Sequence, residues 1–267
     1  MQGTRHQSGF SMLEMVVVVS LITLVSGVVL TQLGSVQKRA KWESDKTDAV
    51  QESREFADQI VRDLHHAGYP GTQMYQSGVL ISPAVNDYRA AAGLVKFSYT
   101  DLWFEGDVDS NGTVDSVRYT LQPASDGNCP CVLQRSEVSK VSGAPTSQGT
   151  NYSREVEGVV NSAGSGGTGT NGALAISGTT QVRSGGGWTS ASNDTLYAPY
   201  KGYYVFQAFD ASGNAVAPCD LTSNPTAVQS ISTIAITLNV IGGPNSVSAD
   251  TRMRPAISVV ASAHVAQ

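Results

Sequence analysis

The feature that most constrains this chain is an apolar stretch close to its amino terminus. An unbroken apolar run covers residues 15–19, and the apolar character continues to about Leu33 with few interruptions, among them Ser20, Thr23, Ser26 and Gly27. A helix of about 20 predominantly apolar residues is long enough to cross a lipid bilayer. The sequence therefore predicts a membrane-spanning helix near the start of the protein.

An acidic residue, Glu14, lies where this stretch begins. A carboxylate in the hydrocarbon costs about 2.5–3.5 kcal/mol even on lenient scales, so it needs a partner. If a peptidase cuts the chain after Gly9, the new amino terminus on Phe10 is a positive charge one helical turn from Glu14. That amine, or the amine of a neighbouring copy, can pair with Glu14 in a low dielectric. Such pairing favours ordered side-by-side packing of helices.

At Gly9, Phe10 and Glu14 the sequence resembles the type IV prepilin family. In that family the leader ends in Gly, the mature chain begins with a methylated Phe, and the fifth mature residue is Glu. The resemblance covers about the first 60 residues, and a looser similarity to the PilW type of minor pilins extends over residues 53–71. It implies cleavage between Gly9 and Phe10, N-methylation of Phe10, and a role for Glu14 in assembly.

A secretory signal peptide or an ordinary signal anchor is the plainer interpretation of a polar leader followed by an apolar stretch. A signal peptide places its cleavage site after the apolar region, whereas the family-like site at Gly9 lies before it. An acid at Glu14 also has no purpose in an ordinary anchor. The residues therefore indicate that residues 1–9 form a prepilin-type leader and not a signal peptide or an ordinary signal anchor.

Length and charge describe one folded domain behind the anchor. The chain has 267 residues, of which 40% are hydrophobic and 15% charged, enough for an anchor and one domain of about 200 residues. Removal of residues 1–9 takes away one Arg and no acid, so the formal net charge would go from −5 to −6. This net negative charge argues against binding of nucleic acid through the electrostatic field of the whole protein.

Apolar residues at helical spacing continue the helix beyond the membrane. They are Val36, Ala40, Val50, Phe56, Ala57, Ile60, Val61, Leu64 and Ala67. Gly68, Pro70 and Gly71 then form a stop signal. We predict a continuous helix from Phe10 to Ala67, with residues 10–34 in the membrane or filament core and residues 35–70 as its amphipathic half.

Residues 71–267 change to a period of two, which is typical of strands with one buried face. Alternation is seen at 95–99, 117–121, 234–240 and 257–265, and 131–138 and 203–209 are further candidates. A long helix packed on an antiparallel sheet is an α+β arrangement, and the resemblance makes it pilin-like. Residues 161–193 are rich in Gly, Ser, Thr and Asn, so we predict a long loop or a set of short turns there.

A candidate cation site occupies residues 107–115, between two predicted strands. Its oxygen-bearing side chains at positions one, three, five and nine are Asp107, Asp109, Asn111 and Asp115. Hard oxygen ligands at this spacing, with Gly112 for a sharp turn, are typical of a calcium loop. Arg118 replaces the Glu expected at position twelve, so a complete EF-hand is excluded. The alternative is a β-hairpin with a tight Asn-Gly turn and solvated aspartates.

The three cysteines predict one disulfide in an oxidising compartment. Cys129 and Cys131 flank Pro130 and lie too close for an easy bridge to each other. We therefore expect Cys219 to pair with Cys129 or Cys131. A zinc site is disfavoured, because the Cys-Pro-Cys spacing is unusual and no partner cluster of His or Cys exists.

Function is predicted to be structural, since no catalytic set of residues is recognisable. The resemblance implies a minor type IV pilin that acts in pilus assembly or initiation, with a prepilin peptidase, other major and minor pilins and the inner-membrane assembly platform as partners. It places the domain in the periplasm and then on the pilus, although Lys38, Arg39 and Lys41 after the span conflict with the positive-inside rule. The alternatives are a type II secretion pseudopilin and a membrane-anchored surface binding protein or adhesin.

Overall fold

The computed structural model describes residues 11–165, 172–184, 187–241 and 257–264. The chain divides into an N-terminal unit that ends at Ser44 and a second unit that begins at Asp45. The first unit contains the start of helix α1 (Met12–His66). In the described part of the chain, Met12–Gln37 is the stretch long and apolar enough to cross a membrane, with a mean hydropathy of 2.5.

The second unit consists of the rest of α1 and a β-rich region. Its strands are β1 (Gly93–Phe97), β2 (Asp101–Gly106), β3 (Asp115–Gln122), β4 (Cys131–Ser139), β5 (Tyr152–Val159), β6 (Thr179–Ser184), β7 (Gly187–Ser192), β8 (Phe206–Asp210), β9 (Ala215–Val216), β10 (Cys219–Asp220), β11 (Ile231–Val240) and β12 (Ile257–His264). Among the described residues, three short α-helices lie between them, namely α2 (Asn193–Leu196), α3 (Ala198–Lys201) and α4 (Pro225–Ser230). In the described residues, ten of these strands form one antiparallel sheet, in the order β10-β1-β2-β3-β4-β5-β11-β8-β9 with β12 on β11, and β6 pairs with β7.

The core lies between the second half of α1 and the sheet. Phe56, Ile60 and Leu64 of α1 are buried with alternate residues of the strands, and the Phe56 and Tyr119 rings pack in a T-shaped arrangement with a centroid distance of 5.4 Å. Arg135 of β4 donates to Asp63 of α1 at 2.8 Å, which adds a charged contact to the apolar one. The predicted α+β class, a long N-terminal helix with a large antiparallel sheet, is confirmed.

Two regions differ from the sequence-based expectation. Strand β2 lacks an alternating pattern because all six of its residues are buried, so both of its faces are covered. Within the predicted loop at 161–193, β6 and β7 form a hairpin in register from Thr179 opposite Ser192 to Ser184 opposite Gly187. Backbone hydrogen bonds pair the two strands of this polar segment.

The predicted disulfide pairing is wrong. Cys129 and Cys131 are joined to each other, with a Cα–Cα distance of 4.3 Å across the cis peptide bond that precedes Pro130. Cys219 is a free, buried thiol on β10, and three strands separate β10 from β4, which carries Cys131. At about 4.8 Å per strand, that separation is far beyond the reach of a disulfide.

Candidate functional site

The N-terminal site rests on a single described residue, Glu14. Gly9 and Phe10 lie outside the described residues, so the structure does not test their predicted roles. Glu14 lies in the first turn of α1, where its backbone N–H donates to the carbonyl of Ser11 at 3.0 Å. Its side chain is exposed, and in the described part of the chain no group pairs with its carboxylate.

Several hydroxyl side chains of the span are satisfied within the helix. Hydroxyl groups donate to backbone carbonyls three or four residues earlier, from Ser20 to Val17 (2.8 Å), from Thr23 to Val19 (2.7 Å) and from Thr31 to Val28 (2.8 Å). Such local bonds let hydroxyl side chains lie in apolar surroundings without a free donor. Glu14 is the only charged side chain between Met12 and Gln37, so it is the group of the span that needs a partner from elsewhere.

The apolar side chains of the span are available for contact on every side. Their exposed fractions range from 40% at Val18 to 88% at Met12. A helix that is apolar all round is suited to lipid or to a bundle of similar helices. The span therefore offers an apolar packing surface, with Glu14 as its only charged residue.

The second candidate site is the loop between β2 and β3. One carboxylate oxygen from each of Asp107, Asp109 and Asp115 lies within 4.8 Å of the other two. Asp107 and Asp115 are buried, whereas Asp109 is exposed. The three predicted acidic ligands are thus brought together, with one side of the cluster open to solvent.

Backbone hydrogen bonds shape this loop. The N–H of Asn111 donates to Asp107 Oδ1 at 3.0 Å and to Asp109 Oδ1 at 3.1 Å, and the N–H of Gly112 donates to Asp107 Oδ2 at 3.0 Å. Gly112 has a φ of +85°, which favours glycine. The carboxamide oxygen of Asn111 accepts from the N–H of Thr113 at 2.7 Å. Asn111 therefore stabilises the turn through both its backbone and its carboxamide.

Asp115 is the residue with the least satisfied side chain of the loop. It is only 3% exposed, and its Oδ2 atom has no hydrogen-bond partner in the described residues. Burial, followed by the negative charges of Asp109, Glu137 and Asp107, raises the pKa of its carboxyl to about 6, although a backbone hydrogen bond from Val108 opposes the shift. A carboxylate here needs a compensating positive charge.

The base of the loop is fastened to the segment that follows α1. The N–H of Asp107 donates to the carbonyl of Tyr69 at 2.9 Å, and the N–H of Gly68 donates to the carbonyl of Glu105 at 2.8 Å. Gly106 lies so close to His66 that a Cβ atom would be 2.2 Å from the His66 carbonyl oxygen, so only glycine fits. A cleft of about 730 Å³ separates this segment from the tip of the loop.

A buried ion pair next to the loop had no counterpart in the sequence analysis. Lys140 Nζ donates to Glu105 Oε2 at 2.6 Å, and both side chains are fully buried. The same ammonium donates to the carbonyls of Val85 (2.6 Å) and Ala90 (2.9 Å). The two charges are 35 residues apart and follow no motif, so only the pairing of strands brings them together.

Comparison with known proteins gives one match, at the amino terminus. The model of a family described as the prokaryotic N-terminal methylation motif matches residues 4–30. No curated protein and no solved structure matches the chain. The match supports a protein of the type IV pilin or pseudopilin type, and it implies processing by a prepilin peptidase and membrane association during assembly.

Proposed function

We propose that this protein is a minor type IV pilin, similar to the PilW type, that takes part in the assembly or initiation of a pilus. The prepilin peptidase cuts between Gly9 and Phe10 and the new terminus on Phe10 is methylated. The mature subunit then enters a bundle of other major and minor pilin helices through the inner-membrane assembly platform. Its role is structural rather than enzymatic, and it binds no nucleic acid.

The observation that carries this proposal is the position of Glu14 within the matched residues 4–30. A lone carboxylate at the entrance of an otherwise uncharged apolar span is costly unless a positive group meets it. A free amine on Phe10 would lie one helical turn away and would supply that group in the same or a neighbouring subunit. The charge pair would set the register, and the exposed apolar span would provide the packing area.

The proposal places the subunit in the inner membrane with a single span and its β-rich region in the periplasm, before export to the pilus and the cell surface. A type II secretion pseudopilin would have the same leader and helix and is the nearest alternative. A surface binding protein or adhesin is the second alternative, because the cleft of about 730 Å³ beside the aspartate loop is open to a ligand.

Deletion of the gene separates these functions. For a minor pilin we expect sheared surface fibres to fall to background while protein secretion stays at the wild-type level, and the full-length chain supplied in trans should restore the fibres. Normal fibres with abolished secretion would contradict the proposal and favour a pseudopilin. Normal fibres and normal secretion with lost surface binding would favour an adhesin.

A further inference from the structure

The aspartate loop contains a concentration of negative charge. Between Asp107 and Asp115 the sequence has three acids and neither Lys nor Arg. Arg135, on the neighbouring strand β4, forms ion pairs with Asp63 and Glu137 instead of with the acids of the loop. A buried carboxylate oxygen with no donor, such as Asp115 Oδ2, loses its hydration without replacement, which is costly. One oxygen of the same carboxylate lies within 4.8 Å of an oxygen of Asp107 and of one of Asp109, so this environment favours a bound positive ion.

The oxygens present match the chemistry of calcium. Calcium takes six to eight oxygen ligands at about 2.3–2.6 Å, so two ligands on opposite sides of the ion are separated by about 5 Å. The oxygens of Asp107, Asp109 and Asp115 lie within 4.8 Å of one another and can therefore share one ion. The hydrogen bonds from Asn111 and Gly112 to Asp107 leave further lone pairs on its carboxylate. Water can complete the shell on the exposed side of Asp109.

We propose that the loop at 107–115 binds one calcium ion through Asp107, Asp109 and Asp115, and that the ion fastens the loop to the segment after α1. Asp107 connects the two parts, because its carboxylate belongs to the cluster while its N–H donates to the Tyr69 carbonyl at 2.9 Å. Bound calcium therefore restrains the strand end at Gly106 and the adjoining residues Ala67 and Gly68. This inference does not depend on the role in pilus assembly.

The first test is titration of the full-length chain in detergent with calcium chloride after removal of metal by a chelator. We expect one calcium to bind and the unfolding midpoint to rise by about 5–10 °C at a hundredfold excess over the dissociation constant. No heat of binding and an unchanged midpoint would overturn the proposal. An equal rise with magnesium chloride would overturn the assignment to calcium.

A matched pair of variants locates the site. Asp115→Asn removes one charge from the cluster, and we expect it to abolish the calcium-dependent rise while the chain in chelator melts at the wild-type temperature or above it. Asp210→Asn removes one charge from another turn, where the carboxylate accepts from Ser212 and Asn214, and it should keep the full rise. An undiminished rise in Asp115→Asn would place the ion elsewhere and overturn the assignment.

Hydrogen exchange tests the fastening role. The amides of Gly68 and Asp107 make the bonds between the loop and the segment after α1, so they should exchange more slowly with calcium than with chelator. The difference should persist in Asp210→Asn and be absent in Asp115→Asn. Calcium binding with unchanged exchange at both amides would show that the ion does not fasten the loop.

Discussion

Replacement of Glu14 with Gln is expected to lower incorporation of the protein into sheared surface fibres by at least about tenfold. Glu14 is the only charge in the membrane-length span, and its pairing with an amine at the mature terminus is what sets subunit register in this account. Loss of one partner from a desolvated charge pair costs several kcal/mol, and each 1.4 kcal/mol changes the equilibrium constant for incorporation tenfold. Quantitative immunoblots of sheared fibres, normalised to total protein, measure the effect.

The same substitution elsewhere on the helix provides the control. Glu55 is exposed on α1 outside the span and accepts a hydrogen bond from Gln51 at 2.8 Å. Glu55→Gln should leave incorporation at the wild-type level, because a solvated pair of this kind contributes little. Cleavage should proceed in both variants, so that the defect of Glu14→Gln arises after processing. Incorporation of Glu14→Gln at the wild-type level would contradict the assembly role of Glu14 and would show that the span is only a membrane anchor.

Replacement of Lys140 with Met is expected to lower the free energy of unfolding by about 3–5 kcal/mol, the usual cost of breaking a buried ion pair. Glu105 would be left buried without its cation, and the carbonyls of Val85 and Ala90 would lose their donor. Burial raises the pKa of the Glu105 carboxyl, whereas the Lys140 ammonium opposes the shift. Denaturant unfolding of the full-length chain in detergent measures the change.

Two further variants distinguish the cost of breaking the buried Glu105–Lys140 pair from the cost of removing any lysine. Lys96 donates to Asp101 at 2.7 Å and is 38% exposed, so Lys96→Met should change stability by less than about 1 kcal/mol. The double variant Lys140→Met/Glu105→Gln should recover part of the loss, because the unpaired charge is removed while the acceptor for the Ala92 N–H is kept. Equal effects of Lys140→Met and Lys96→Met would show that the fully buried pair contributes no more than a pair whose lysine is partly exposed.

The sequence predicts those parts of the fold that follow a simple period. Helix α1 ends at His66, only one residue before the predicted Ala67. The prediction is this close because the apolar spacing and the stop signal at Gly68, Pro70 and Gly71 indicate the same end. In strand β11 the predicted Ile234, Ile236 and Leu238 are buried. Strand β2 was missed, since a strand that is covered on both faces shows no alternation.

The candidate sites were predictable only where a motif is local. The three acids of the loop at 107–115 are brought together, because nine consecutive residues with a glycine turn determine most of that geometry. The carboxamide oxygen of Asn111 accepts from the Thr113 N–H, and its role as a cation ligand stays a prediction. The disulfide joins two cysteines that are only two residues apart, a spacing from which the sequence predicted no bridge. The Glu105–Lys140 pair depends on the order of the strands in the sheet, and composition and periodicity contain no such information.

In the function proposed for it, this chain becomes a filament subunit only when a new amino terminus is made in front of Glu14. Mass spectrometry of the amino-terminal peptide of the mature protein, purified from membranes and from sheared fibres, tests this most directly. We expect the peptide to begin at Phe10 and to carry a methyl group on its amine. A protein that still begins at Met1, or that is cut after the apolar span, would contradict the account.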